Sequence, residues 1–130
     1  YKPPAGAIGV EYMFHFSAAW NGDGHAIQHF RFYIDNSEIT DARFTQANRY
    51  FENIVTFGWY FRIGGSGTDY AIGRFENWNS TKSFDLRTRA YQTSGNTTAR
   101  FYATTYWDGS SSHQFRQPQM EIIAYGNPAV

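Results

Sequence analysis

Phe84-Asp85-Leu86-Arg87-Thr88-Arg89-Ala90-Tyr91 and Ala99-Arg100-Phe101-Tyr102-Ala103-Thr104-Thr105-Tyr106-Trp107 flank the turn-forming quartet Ser94-Gly95-Asn96-Thr97. On the first side Phe84, Leu86, Thr88 and Ala90 share one parity, and Asp85, Arg87, Arg89 and Tyr91 the other. On the second side Ala99, Phe101, Ala103 and Trp107 alternate with Arg100, Tyr102, Thr104 and Tyr106. Successive side chains of a strand point to opposite faces, so both runs read as strands with one apolar face. A short loop containing glycine between two such runs reads as a hairpin. With Gly95-Asn96 as the loop, the register sets Ala90 opposite Phe101, Phe84 opposite Trp107, Tyr91 opposite Arg100 and Arg89 opposite Tyr102. One face is then core and the other a checkerboard of arginine and tyrosine, the side chains enriched in binding surfaces.

The same period recurs along the chain. Ile8, Val10, Tyr12, Phe14 and Phe16 alternate with polar Glu11, His15 and Ser17, which predicts a long first strand. A second strand over Ile27–Ile34 turns its Phe30, Phe32 and Ile34 inward and its His29, Arg31 and Tyr33 outward. Asp35-Asn36-Ser37-Glu38 turns into a further strand from Ile39. Residues Asp41–Glu52 fit either one helical turn or an irregular corner. Alternation resumes over Asn53–Ile63, a short strand follows at Tyr70–Phe75, and a last one runs over Gln119–Tyr125. About eight such strands, punctuated by turn clusters, predict an all-β, antiparallel two-sheet β-sandwich of jelly-roll type, with an up-and-down barrel as the alternative. Tyr1–Gly6 reads as an N-terminal linker and residues 7–130 as a single domain.

Composition supports this class, since aromatic residues make up 20% of the 130 and pack well on pleated, half-buried surfaces. The formal net charge is zero, which gives no bulk attraction to nucleic acid or an anionic membrane, and no run is long and apolar enough to span a bilayer. Nine arginines nevertheless stand against two lysines, a skew toward the planar, bidentate cation. There is no cysteine, hence no disulfide and no thiolate metal site, and a cytosolic or virion-assembled product is favoured over a secreted one.

Several patterns carry chemistry. Asp23, Asp69 and Asp108 each lie in a glycine-rich loop, where carboxylates can collect Ca²⁺, but Asp beside Gly is also plain turn chemistry and no calcium loop is recognisable. His15, His25, His29 and His113 are scattered without ligand spacing, so no metal or other cofactor is expected. Glu11, Glu52, Glu76 and Glu121 are not brought to a defined separation, and no nucleophile motif occurs, so no enzyme is expected. Trp20 with Asn21 and Asp23, and Trp78 with Asn77, place an indole beside hydrogen-bonding groups and are the candidate glycan-binding residues. Arg31, Tyr33, Arg87, Arg89, Tyr91, Arg100, Tyr102 and Tyr106 are the candidate subunit interface.

The strings Glu11-Tyr12-Met13-Phe14, His29-Phe30-Arg31-Phe32-Tyr33-Ile34-Asp35, Leu86-Arg87-Thr88-Arg89-Ala90-Tyr91, Tyr106-Trp107-Asp108-Gly109 and Pro118-Gln119-Met120-Glu121-Ile122-Ile123-Ala124 together resemble small jelly-roll modules of marine-bacteriophage virions. Those modules have a sandwich of the tumour-necrosis-factor or complement type. The resemblance implies a non-enzymatic virion surface protein, decorating a capsid or heading a tail fibre. It further implies a homotrimer that meets other virion proteins and host surface glycans, without binding nucleic acid or inserting into a membrane. The alternative is an extracellular, stand-alone carbohydrate-binding module or lectin.

Overall fold

The computed structural model describes residues 1–22, 26–48, 53–92, 97–102, 104–105, 112–113 and 117–127. The protein is an all-β sandwich with β1 (Ala7–Gly22), β2 (Ala26–Ile34), β3 (Ser37–Asn48), β4 (Asn53–Ile63), β5 (Arg74–Phe75), β6 (Phe84–Gln92), β7 (Thr97–Phe101), β8 (Thr104–Thr105), β9 (Ser112–His113) and β10 (Gln119–Gly126). The first sheet runs β10-β1-β4-β5, and β7 continues the β10 edge of β1. The second runs β3-β2-β6, and β8 and β9 form a separate small ribbon. All pairings are antiparallel except the short contact of β5 with β4. The chain crosses between the sheets after β1, β3, β5 and β6, while β2 and β3 form a hairpin within the second sheet.

The predicted hairpin is not formed. Strand β6 pairs with β2, setting Arg87 opposite Arg31 and Arg89 opposite His29, whereas β7 pairs with β1 in the other sheet, setting Arg100 opposite Ala19. Alternation assigns each side chain a face but does not name the neighbouring strand, and both strands bury their apolar parity equally well against other partners. The short strand expected at Tyr70–Phe75 shrinks to Arg74–Phe75, preceded by a turn. The uncertain stretch after Asp41 is strand as far as Asn48, interrupted by a wide bulge: Phe30 pairs with Phe44 and Phe32 with Ile39, so residues 40–43 all stand opposite Arg31. That bulge reaches across the sandwich, where the Asp41 N–H donates to the Ala71 carbonyl at 3.1 Å and Ala42 is buried.

The core is aromatic. Phe32, fully buried at the centre of β2, meets Phe57 at 4.8 Å, Tyr12 at 5.0 Å, Phe61 at 5.8 Å and Phe84 at 6.1 Å between ring centroids. Each such side chain contributes about 1.5–3 kcal/mol through burial alone. Burial pushes the Tyr12 hydroxyl up to about 12, with Tyr102 and Asp85 adding to the shift, so it stays neutral and belongs to this core. The segment read as a linker is docked onto the sandwich: Lys82 N–H donates to the Tyr1 carbonyl at 2.9 Å and the Tyr1 ring stands edge-on to Trp78.

A two-residue turn joins β2 to β3, with Asp35 at φ 47° and Asn36 at φ 64°, the left-handed pair that a type I′ hairpin needs. Asp35 also ties this hairpin to the entry of β6. Its carboxylate accepts from Ser83 N–H at 2.9 Å and from Lys82 Nζ at 3.2 Å, while its own N–H donates to the Ser83 carbonyl at 3.1 Å. Burial raises this carboxyl, but the Ser83 N–H, the Lys82 ammonium and the Ser83 hydroxyl outweigh it and hold the group below the ordinary carboxylate range. A carboxylate lowered on folding adds stability above its unfolded value and loses it as the pH falls through its folded value. Asp35→Asn is therefore expected to lower the urea midpoint at neutral pH, with the gap to wild type closing below roughly pH 4. A gap that stays constant into strong acid would show that the Asp35 charge does not hold this corner.

Candidate functional site

The outward row of β2 is Ile27, His29, Arg31 and Tyr33, because its neighbours Gln28, Phe30, Phe32 and Ile34 are buried. Cross-strand pairing sets Tyr91, Arg89, Arg87 and Asp85 of β6 beside that row, in the same order. On the other side β3 supplies Thr45 opposite His29 and Glu38 opposite Tyr33, and its bulge delivers Arg43. The result is a groove of about 620 Å³ lined by His29, Arg31, Arg43, Thr45, Arg87 and Arg89, with the strands of the second sheet as its floor.

The electrostatics are lopsided. Glu38 accepts from Arg43 through Nε at 2.6 Å and Nη2 at 3.0 Å, and lies 3.7 Å from Arg31 Nη1. The Arg43 fork, with Arg43 and Arg31 charge, holds the Glu38 carboxyl below its ordinary range even against some desolvation. Arg87 donates to Asp85 at 3.2 Å and to Asn36 at 2.9 Å, and its guanidinium lies 3.9 Å from the centre of the Tyr33 ring. Arg89 has no carboxylate partner among the described residues. Four guanidiniums thus meet two carboxylates, which leaves the groove with a charge of +2. Arg31 and Arg87 stand directly opposite each other, a like-charge pairing that destabilises a sheet.

Of the predicted interface residues, Arg31, Tyr33, Arg87, Arg89 and Tyr91 are brought together on this face. Arg100 and Tyr102 are not: Arg100 belongs to the first sheet, and Tyr102 turns between the sheets at φ 62°, donating its N–H to the Ser17 carbonyl and lining a slot with Phe14, Phe16, Phe30, Leu86 and Phe101. Tyr106 lies outside the described residues. Among the predicted glycan residues, Trp78 is only 4% exposed, packed against Phe61, Phe75 and Phe84. Its ring is core, and its neighbours Asn77 and Asn79 reach the surface. Trp20 and Asn21 end β1 opposite Ala99 and Thr98, and Asp23 lies outside the described residues. Of the loop aspartates, Asp23 and Asp108 also fall outside them, while Asp69 accepts from Ala71 N–H at 3.0 Å and so closes its own turn.

A second surface was not anticipated. On the outer face of the first sheet the Tyr125 hydroxyl donates to Glu11 at 2.9 Å, which raises the Tyr125 pKa, and the Tyr125 ring lies 6.0 Å from Tyr60. Tyr60 lies across Gly9, where any Cβ would strike its ring. Outward parity of Glu11, Tyr60 and Tyr125 was the available signal, but the register that joins them is a long-range pairing. Comparison with known proteins returns no match to a family model, a curated protein or a solved structure.

The placement of Trp78 separates structure from binding. Trp78→Ala is expected to cost about 3–5 kcal/mol in urea unfolding, the range for emptying a buried aromatic site. Unchanged stability together with lost sugar retention would return Trp78 to the ligand set.

Proposed function

We propose that the chain is a non-catalytic virion surface subunit, a capsid decoration or fibre-head module that assembles as a homotrimer and contacts other virion proteins and a host surface glycan. The observation that carries this reading is the outward arginine face of β2, β3 and β6. Guanidiniums do not give up a proton at working pH, so their chemistry is to hold hydrogen-bond acceptors and anions. A two-sheet β-sandwich is the architecture that the resemblance to phage modules implies, and the all-β sandwich of this chain fits the same reading.

We assign self-assembly to the other sheet. An arginine face of net positive charge repels a copy of itself, whereas the first sheet has Ile54, Tyr60, Ile123 and Tyr125, 57, 49, 36 and 41% exposed, on its outer rows, and Met120, 61% exposed, on the inner row of its edge strand. Edge strand β10 supplies three of them. Exposed apolar side chains gathered on an edge strand mark a surface that gains from a neighbour. The second reading, a stand-alone carbohydrate-binding module, is favoured by the same face, where Tyr60, Tyr125 and Glu11 offer rings beside a carboxylate.

Light scattering on the purified chain discriminates the two. A trimer is expected, unchanged by chelator, and Ile123→Asp is expected to convert it to a folded monomer. A wild-type monomer that is retained on neutral sugar, and released by Tyr60→Ala, would replace the virion reading with the lectin.

A further inference from the structure

We infer that the groove between Arg31, Arg43, Arg87 and Arg89 is a binding site for an acidic saccharide, one bearing carboxylate or sulfate groups. The inference rests on the arginine face being the partner contact, and it names what that contact recognises.

The groove is built for an anion. Sheets normally set opposite charges, or neutral side chains, directly across from one another. Here Arg31 faces Arg87, and His29 faces Arg89, on the strands that form the floor. The two native carboxylates sit toward one end, Glu38 opposite Tyr33 on β3 and Asp85 opposite Tyr33 on β6. The other end, around His29, Thr45 and Arg89, has donors and no carboxylate among the described residues. An added anion placed there completes the pattern that Glu38 and Asp85 begin.

The geometry favours a planar or tetrahedral oxyanion on a sugar. Arg43 already grips Glu38 through a two-nitrogen fork, the geometry in which a guanidinium takes a planar carboxylate. Beyond Arg89 on the same row stands Tyr91, 58% exposed, an aromatic surface for the apolar face of a neighbouring sugar ring. Thr45 adds an exposed hydroxyl from the adjoining strand. A nucleic acid is the poorer fit: its binding requires many phosphate contacts, and a groove of +2 on a chain of zero net charge supplies few.

Affinity electrophoresis in gels containing alginate (a polyuronate), dextran sulfate or neutral dextran tests the assignment, with a DNA duplex as a further probe. Retardation by alginate or dextran sulfate, and not by dextran, is expected; the stronger of the two identifies the acid group. Arg89→Gln removes the cation that has no carboxylate partner among the described residues and is expected to weaken retardation about tenfold. Arg62→Gln, on the outer side of the first sheet, is expected to leave it unchanged. Equal retardation of wild type and Arg89→Gln, loss in Arg62→Gln, or tighter binding to DNA would overturn the proposal. Light scattering on the same samples keeps the parent reading separate: a trimer that ignores both polyanions removes only the saccharide assignment. A monomer that binds them through Arg89 removes only the trimer.

Discussion

The interlocking of aromatic rings around Phe32 is the contact on which the rest of the structure depends. Phe32 belongs to β2, but the rings it meets belong to β1, β4 and β6, so one side chain joins both sheets and the central strand of each. Tyr12 stacks on Phe84 at 5.0 Å, Phe61 meets Phe75 at 5.9 Å, and Phe75 meets Trp78 at 5.3 Å, which carries the packing outward to the residues before β6. Rings of this size fill the space between sheets with few rotatable bonds, and their edge-to-face and offset contacts add to the area they bury. At the far end of the same packing the Gln28 amide is fully buried, with neither of its polar atoms partnered among the described residues.

With the inner rows committed to aromatic packing, the outer rows of the second sheet are left to long polar side chains, and their placement follows from strand pairing. The pairing of β6 with β2 sets Arg87 beside Arg31, and the bulge of β3 swings Arg43 into the same space. The β2–β3 hairpin brings Arg31 and Arg43 close locally, but Arg87 and Arg89 arrive only through the long-range pairing of β6 with β2. The face is held in part by its own acids: Glu38 is shared between Arg43 and Arg31 at the rim, and Tyr33 lies under Arg87. Exposed ion pairs of this kind contribute little stability. Their consequence is geometric, because they fix the direction of three guanidiniums and leave Arg89 without a carboxylate among the described residues.

Which face each side chain occupies was legible from parity: Phe30, Phe32 and Ile34 are buried and His29, Arg31 and Tyr33 look outward, as alternation requires. Which strand lies beside which was not. Arg87 and Arg100 share outward parity, yet they end on opposite sheets because β6 and β7 choose different partners. Turn chemistry was a good guide where two residues suffice, as at Asp35-Asn36, and misleading at Ser94-Gly95-Asn96-Thr97, where the flanking strands separate. Trp78 illustrates the remaining limit. An indole between two asparagines has the local pattern of a surface site, and only the long-range arrival of Phe61, Phe75 and Phe84 makes it core.

The two long sides of the sandwich differ in a way that bears on assembly. Along one side the β3 bulge bonds to the turn before β5 through Asp41 and Ala71, and the Trp59 indole donates to the Ile72 carbonyl at 3.2 Å, so the sheets are stitched together. Along the other side the strands are β6 and β10, each pairing on one edge only among the described residues. Strand β10 has Met120 on its inward row and Ile123 and Tyr125 on its outward row, all of them exposed. Unpaired edges and uncovered apolar rows are normally protected by charge, bulges or covering elements. On β10 the acid Glu121 is the sole charge, so this side of the molecule is the one that gains most from a neighbour, while the arginine face of the second sheet stays turned toward solvent.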